Sequence, residues 1–65
     1  GLGLTDRERA ILTGMARGLT NAEIAAELFV SADTIKTQVK KLFTRLGVHT
    51  RAGAVAEGIR RQLVA

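Results

Sequence analysis

Apolar residues recur along this chain at intervals of three and four, the spacing that places them on one side of an α-helix. The pattern is clearest in the segment LFVSADTIKTQVKKLFTRL, where one narrow apolar stripe contains Ile35, Val39, Leu42 and Leu46, with Phe43 at its edge. The opposite side of the same helix collects polar residues, namely Asp33, Lys36, Thr37, Lys40 and Thr44. Such a helix buries its apolar side and presents the polar side to solvent or to a partner.

Helix start and stop signals divide the chain into four helical segments. Thr5 and Thr20 each precede a Glu by three residues, which is the capping-box pattern, and Ser31 can cap a third helix. Gly18 and Gly47 follow helical segments at positions suited to a left-handed stop. We therefore expect an all-α four-helix bundle containing a helix-turn-helix, with helices at about residues 6–17, 21–28, 32–46 and 51–63.

Each predicted helix has one apolar side, so the four can close around a single core. Beyond the stripe of the third helix, the side chains expected to point inward are Ile11, Leu12, Met15, Ile24, Ala25, Leu28, Phe29, Val30, Ala52, Val55, Ala56, Ile59 and Leu63. Sixty-five residues make one small domain without room for an enclosed active-site cavity. We expect this domain to span residues 4–65 and residues 1–3 to be a linker remnant or cloning scar.

The link between the second and third predicted helices is very short. It contains only Phe29, Val30 and Ser31, which forces a steep crossing of the two helices, as in a helix-turn-helix. An ordinary pair of helices in a bundle is the alternative. The periodicity of the chain does not by itself separate the two.

The distribution of charge favours the helix-turn-helix over an ordinary pair of helices. Ten Lys and Arg oppose six Asp and Glu, and four of these cations with no acid lie between Lys36 and Arg45. A helix with this polar side suits a polyanion, and the DNA major groove is the leading candidate. With one His and no Cys, the chain has no zinc site, and we expect no cofactor. It also lacks a set of catalytic residues, so an enzyme is not expected. No apolar run approaches the length of a membrane span.

Several motifs together resemble the LuxR-type (GerE-like) helix-turn-helix domain of bacterial transcription regulators. They are L-T-x-R-E, G-L-T-N-x-E-I-A, V-S-x-x-T-I-K and L-G-V-x-x-R, and they extend from Leu4 to Val55. The resemblance implies sequence-specific binding of double-stranded DNA by the C-terminal output domain of a regulator, such as a response regulator. It further implies a location in the bacterial cytoplasm, at the nucleoid, and an N-terminal receiver or sensor domain that lies outside these residues.

The resemblance also assigns roles to individual residues. Lys36, Thr37 and Lys40 would contact base edges in the major groove. The residues expected near the DNA backbone are Thr20, Asn21, Ser31, Thr34, Lys41 and Arg45. For Lys41 and Arg45, a solvated helix flank is the alternative. The family commonly has His where Gln38 stands. Gln38 either contacts a phosphate or closes the edge of the core, and we expect the latter. We expect His49 to be a solvated residue in the last link, with a phosphate contact or a response to pH as the alternatives.

Two further predictions concern structure and assembly. Glu8 falls on the inward side of the first helix, and either the capping box alone or an ion pair with Arg51 would hold it there. The last helix carries small residues, and the resemblance implies that Ala54 and Gly58 form a dimer face. A twofold dimer would present two third helices to an inverted repeat.

Two other functions fit part of the pattern. Region 4 domains of sigma factors share the capping box and the T-V/I-K element, although they do not usually continue into a Leu-Gly-Val-x-x-Arg link and a fourth helix. RNA polymerase is accordingly a further candidate partner. A helical protein-interaction module would use the cationic side of the third helix to bind an acidic partner.

Overall fold

The computed structural model describes residues 3–64, which fold into four α-helices. These are α1 (Asp6–Ala16), α2 (Asn21–Leu28), α3 (Ala32–Leu46) and α4 (Arg51–Arg60). The all-α, four-helix prediction is confirmed, and the bounds of α2 and α3 match those expected. Of the three residues expected to form a linker remnant, residues 1 and 2 lie outside the described residues.

The helix starts follow the predicted capping pattern. Thr5 and Glu8 exchange two hydrogen bonds, of 2.9 and 3.1 Å, between the side chain of each and the backbone N–H of the other. Thr20 and Glu23 do the same at 2.8 and 3.1 Å. Single hydroxyl caps begin the other two helices, at Ser31 and Thr50. Because these bonds join residues three apart, each helix start is a local property of the sequence.

The core lies where the four helices meet. Its buried side chains are Ile11, Leu12, Met15, Ile24, Ala25, Ile35, Leu42, Leu46 and Ala54. Gly14 is buried as well, and a Cβ atom added to it would lie 2.7 Å from Cγ1 of Ile24. The absence of a side chain at Gly14 therefore lets α1 and α2 approach each other closely. Among the helix pairs, α3 packs most extensively against α2, which together form the predicted helix-turn-helix.

The last helix is shorter than predicted. α4 ends at Arg60, not near residue 63, because the chain turns back through Gln62, whose φ is 59°. The N–H of Leu63 then donates to the carbonyl oxygen of Gly58 at 2.7 Å. The turn brings Leu63 and Val64 against the core as half-buried residues that follow the helix. Leu63 thus contributes to the core as expected, but from a turn.

The side of α4 that faces the core also differs from the prediction. The helical spacing predicts Ala52, Ala56 and Ile59 in the core, but all three are exposed, and Ile59 is 53% accessible. The buried positions are Ala54 and Gly58, and a Cβ atom on Gly58 would meet Cδ2 of Leu12 at 3.0 Å. Small residues let α4 lie close to α1. Close packing against α1 therefore determines which side of α4 faces the core.

Phe29 lies outside the core, contrary to the prediction. Its side chain is 95% exposed, and its backbone adopts the left-handed conformation that ends α2. This turn lets the N–H of Val30 donate to the carbonyl of Ala25 at 3.1 Å, and Val30 packs against the core as expected. Reversing the chain at Phe29 directs Val30 inward and leaves the phenyl ring in solvent.

Candidate nucleic-acid interface

One side of α3 is covered by the core and the other is open. The open side, which we call the outer face, consists of Asp33, Lys36, Thr37, Lys40 and Thr44, all of them exposed. Within residues 3–64, neither lysine of this face forms an ion pair. The hydroxyl of Thr44 donates to the carbonyl of Lys40 at 3.1 Å, so it is used within the helix. The three predicted base-contact residues, Lys36, Thr37 and Lys40, thus lie together on one accessible surface.

The start of α3 carries two of the predicted backbone-contact residues. The N–H of Thr34 donates to the Ser31 hydroxyl at 3.1 Å, and the two hydroxyl oxygens are 2.9 Å apart. The partial positive charge of a helix start favours anions at this position. Thr20 caps α2 in the same way and is exposed.

A side-chain hydrogen bond connects Arg51 to Asn21. Nη2 of Arg51 donates to Oδ1 of Asn21 at 2.9 Å, and Nη1 of Arg51 donates to the carbonyl of Leu19. The ion pair between Glu8 and Arg51, one of the two interpretations of Glu8, is therefore wrong. Arg51 is the first residue of α4, and the fold places it at the start of α2. Arg51 thus bonds to the start of α2 and not to Glu8, and its structural role stays a prediction.

Glu8 instead binds Arg45. Their Oε1 and Nη1 atoms are 2.6 Å apart, and Nη2 of Arg45 also donates to the carbonyl of Gly3 at 3.2 Å. The hydrogen bond from the backbone N–H of Thr5, followed by the bond and charge of Arg45, holds the pKa of Glu8 below its ordinary value. The carboxylate is therefore ionised at neutral pH. Arg45, expected near the DNA backbone, is engaged with the start of α1.

Gln38 and His49 occupy the positions expected of them. Gln38 is half-buried at the edge of the core, and its Oε1 atom is buried without a hydrogen-bond partner in the described part of the chain. His49 is exposed in the link before α4. Lys41 is exposed on the flank of α3 that adjoins the start of α1.

The predicted dimer face is not accessible. Ala54 is fully buried and Gly58 is buried against Leu12, so both face the core of their own chain. The prediction is wrong for these two residues because a small residue suits a close contact within a chain as well as between chains. What α4 exposes is a second stripe at helical spacing, formed by Ala52, Ala56 and Ile59.

The described residues do not meet the requirements of a metal site or of a membrane-spanning helix. Within residues 3–64, no group of three His, Asp or Glu side chains could hold a metal ion. None of the four helices has the length and apolarity needed to cross a membrane.

The chain is similar to known regulators over most of its length. The family model for bacterial regulatory proteins of the luxR family matches residues 2–57. A probable transcriptional regulatory protein NarL from Mycobacterium tuberculosis is 48% identical over 61 residues, which are 94% of this chain and 28% of that protein. The DNA-binding transcriptional activator DevR/DosR of the same species is 42% identical over 52 residues, 80% of this chain and 24% of that protein. The chain thus spans only about a quarter of the length of these relatives.

Two solved structures share the fold. The transcription factor GerE superimposes with a TM-score of 0.91 at 29% identity, over 100% of this chain and 96% of that chain. The response regulator ChrA of a heme-sensing two-component system gives a TM-score of 0.90 at 36% identity, over 94% of this chain and 30% of that chain. These matches agree with the resemblance indicated by the sequence motifs.

Proposed function

The chain belongs to the luxR family of bacterial regulatory proteins as a helix-turn-helix, DNA-binding domain, and we propose that it recognises a specific operator with α3 in the major groove. The observation that carries this proposal is the outer face of α3, where Lys36, Thr37 and Lys40 are exposed together on the second helix of the helix-turn-helix. The major groove of B-DNA, about 12 Å wide, admits an α-helix.

The chemistry of the outer face suits base contacts. A lysine ammonium donates to O6 and N7 of guanine, and a threonine can use its hydroxyl or pack its methyl group against thymine. At the helix starts, Thr20, Asn21, Ser31 and Thr34 would contact the sugar-phosphate backbone and set the register of α3.

We further propose that two copies bind together through α4, and that they meet at the exposed stripe of Ala52, Ala56 and Ile59, because Ala54 and Gly58 are buried. Ile59, 53% exposed at one end of a stripe whose other members are alanines, supports this assignment, because α4 can then approach a second α4 closely. Two α3 helices about one DNA turn apart would match an inverted repeat.

The whole protein would act as a transcription regulator in the bacterial cytoplasm, at the nucleoid. A receiver or sensor domain outside this chain would control it. The two-component response regulator among the structural matches supports the receiver alternative. Contact with RNA polymerase stays a prediction.

The experiment selects genomic DNA fragments with this domain and then titrates the enriched site and a random duplex at two salt concentrations. We expect an enriched inverted repeat, and we expect Lys36→Ala and Lys40→Ala to lose the preference for it. Lys40→Ala should cost about 1–3 kcal/mol on the enriched site and less on random DNA. Arg17→Ala is the control, because Arg17, the residue that follows α1, is exposed and paired with Glu27 at 3.0 Å.

The other outcomes point to specific alternatives. An equal loss on both duplexes would make Lys40 a phosphate contact. Salt-sensitive binding without an enriched motif would contradict sequence-specific recognition by this domain alone. Failure to bind any duplex at low salt would instead favour an acidic protein partner.

The dimer has its own test. Ile59→Glu should abolish cooperative binding to the inverted repeat while leaving the affinity for a single half-site unchanged. Cooperativity that survives this change would exclude the exposed stripe of α4 as the dimer contact.

A further inference from the structure

A shallow depression lies beside the outer face, between the start of α1 and one flank of α3. It is lined by Thr5, Arg7, Glu8, Gln38 and Lys41, and we call it the α1–α3 depression. We propose that it binds a phosphodiester of the DNA backbone through Arg7 and Lys41. This inference rests on the proposed function, and it adds α1 to the DNA-binding surface.

The position of the depression fits one wall of the major groove. Lys41 lies about 100° around α3 from Lys40, and therefore on the flank of the outer face. A helix lying in the major groove has a sugar-phosphate strand on each side. A strand running along this flank meets Lys41 from α3, and the α1–α3 depression places Arg7 from α1 beside it.

The two cations are available for a phosphate. Arg7 and Lys41 are both exposed, and neither has an ion pair or a side-chain hydrogen bond within residues 3–64. The backbone N–H of Glu8, in the first turn of α1, is already bonded to the Thr5 hydroxyl. The side chains, and not the helix start, would therefore bind the anion.

The only acid that lines the depression is already neutralised within the described structure. Glu8 is bonded to the guanidinium of Arg45 at 2.6 Å, so its negative charge is compensated where a phosphate would bind. We infer that Arg45 supports backbone contact indirectly, by neutralising Glu8. A DNA strand at this flank would then meet the uncompensated charges of Arg7 and Lys41.

Gln38 lines the α1–α3 depression together with Arg7. Its buried Oε1 atom, which has no hydrogen-bond partner in residues 3–64, needs a donor, and Gln38 and Arg7 line the same depression. A guanidinium has five N–H donors, so it can donate one to Gln38 and still bind a phosphate through others.

The first test measures how the affinity for the selected operator falls with salt in the wild type, in Arg7→Gln and in Arg9→Gln. Loss of one phosphate contact should make the log–log slope shallower by about 0.9 for each protomer bound. Arg7→Gln should show this change, and should weaken binding to cognate and random duplexes alike. Arg9→Gln removes the same charge from the same helix, but Arg9 does not line the depression and bonds instead to the carbonyl of Leu63 at 3.1 Å, so its slope should match the wild type.

The second test separates the indirect role of Arg45 from a direct contact. Arg45→Met leaves the negative charge of Glu8 without its cation, so this variant should bind DNA more weakly. Adding Glu8→Gln removes that negative charge and should restore DNA binding. Glutamine can replace glutamate in a capping box, so the double variant keeps the start of α1. If the double variant binds as weakly as Arg45→Met, the indirect role is wrong.

The outcomes separate this inference from the proposed function. If Arg7→Gln keeps the wild-type slope while Lys36→Ala and Lys40→Ala lose specificity, the depression does not bind phosphate and the proposed function stands. If the wild type binds no duplex, both are overturned. Thermal melting followed by circular dichroism confirms that each variant is folded.

Discussion

Arg51 and Asn21 are thirty residues apart, and Nη2 of Arg51 donates to Oδ1 of Asn21 at 2.9 Å. The same guanidinium donates to the carbonyl of Leu19. One half-buried side chain at the start of α4 therefore fixes the start of α2. The bond to Asn21 leaves the amide NH₂ of that residue free to face a phosphate, so the orientation of a predicted backbone contact depends on α4.

We expect Arg51→Lys to destabilise the fold. A lysine ammonium cannot reproduce the forked geometry that binds two acceptors, and hydrogen bonds from a charged group contribute about 1.5–3 kcal/mol each. Urea denaturation should show a loss in that range. Arg7→Lys is the control and should change stability by less than about 0.5 kcal/mol, because Arg7 is exposed. A similar effect of both changes would refute the structural role of Arg51.

We also expect Gly14→Ala to destabilise the fold, although alanine is the better helix former by about 1 kcal/mol. The added Cβ would lie 2.7 Å from Cγ1 and 3.0 Å from Cδ1 of Ile24, and overpacking of this kind costs about 1–3 kcal/mol. Denaturation of Gly14→Ala beside Thr13→Ala, an exposed neighbour, measures the difference. A stabilised Gly14→Ala would show that α1 and α2 can separate at little cost.

We expect substitutions at Phe29 and at Gly47 to change the stability of the fold in opposite directions. Both have positive φ, 58° and 70°, a region that costs non-glycine residues about 1–2 kcal/mol. Phe29→Gly should raise stability by up to about 1 kcal/mol, because the lost side chain is 95% exposed. Gly47→Ala should lower it by about 1 kcal/mol through backbone strain alone, because its Cβ would have no neighbour within 4 Å. A destabilised Phe29→Gly would mean that the phenyl ring makes a contact that stabilises the fold.

Stability should fall in acid partly through Glu57. Its hydrogen bonds to Arg60 and Arg61 lower its pKa from 4.5 to about 2. Because the folded pKa is the lower one, the stabilisation is complete above the unfolded pKa and is lost as pH falls through the folded pKa. The free energy of unfolding should therefore decrease between about pH 5 and pH 2.

Glu57→Gln isolates this contribution. The variant should show a shallower decrease over the same pH range, measured by thermal melting. Part of the decrease should remain, because the backbone N–H groups of Thr5 and Thr20 also lower the pKa of Glu8 and Glu23. An unchanged pH profile would mean that the ion pairs of Glu57 do not stabilise the fold.

The features that could be predicted from the sequence are those carried by residues close together along the chain. The capping boxes of Thr5 and Thr20 span three residues each. The turn between α2 and α3 is also closed by local backbone bonds, from Phe29 to Ala26 and from Val30 to Ala25. The outer face of α3 follows from helical periodicity, because the strong apolar stripe of that helix leaves only one side open.

The tertiary structure decided which side of α4 is buried and which acid pairs with which arginine. α4 carries small or apolar residues on more than one side, so its sequence allowed either the stripe of Ile59 or the pair of Ala54 and Gly58 to face inward. Close packing against Leu12 selected the second. Arg45 and Arg51 are both arginines with which Glu8 could form an ion pair. Because the C-terminal part of α3 lies beside α1, Glu8 pairs with Arg45. Periodicity shows that a helix has a side to bury, but the shapes and charges of neighbouring helices determine which side and which partner.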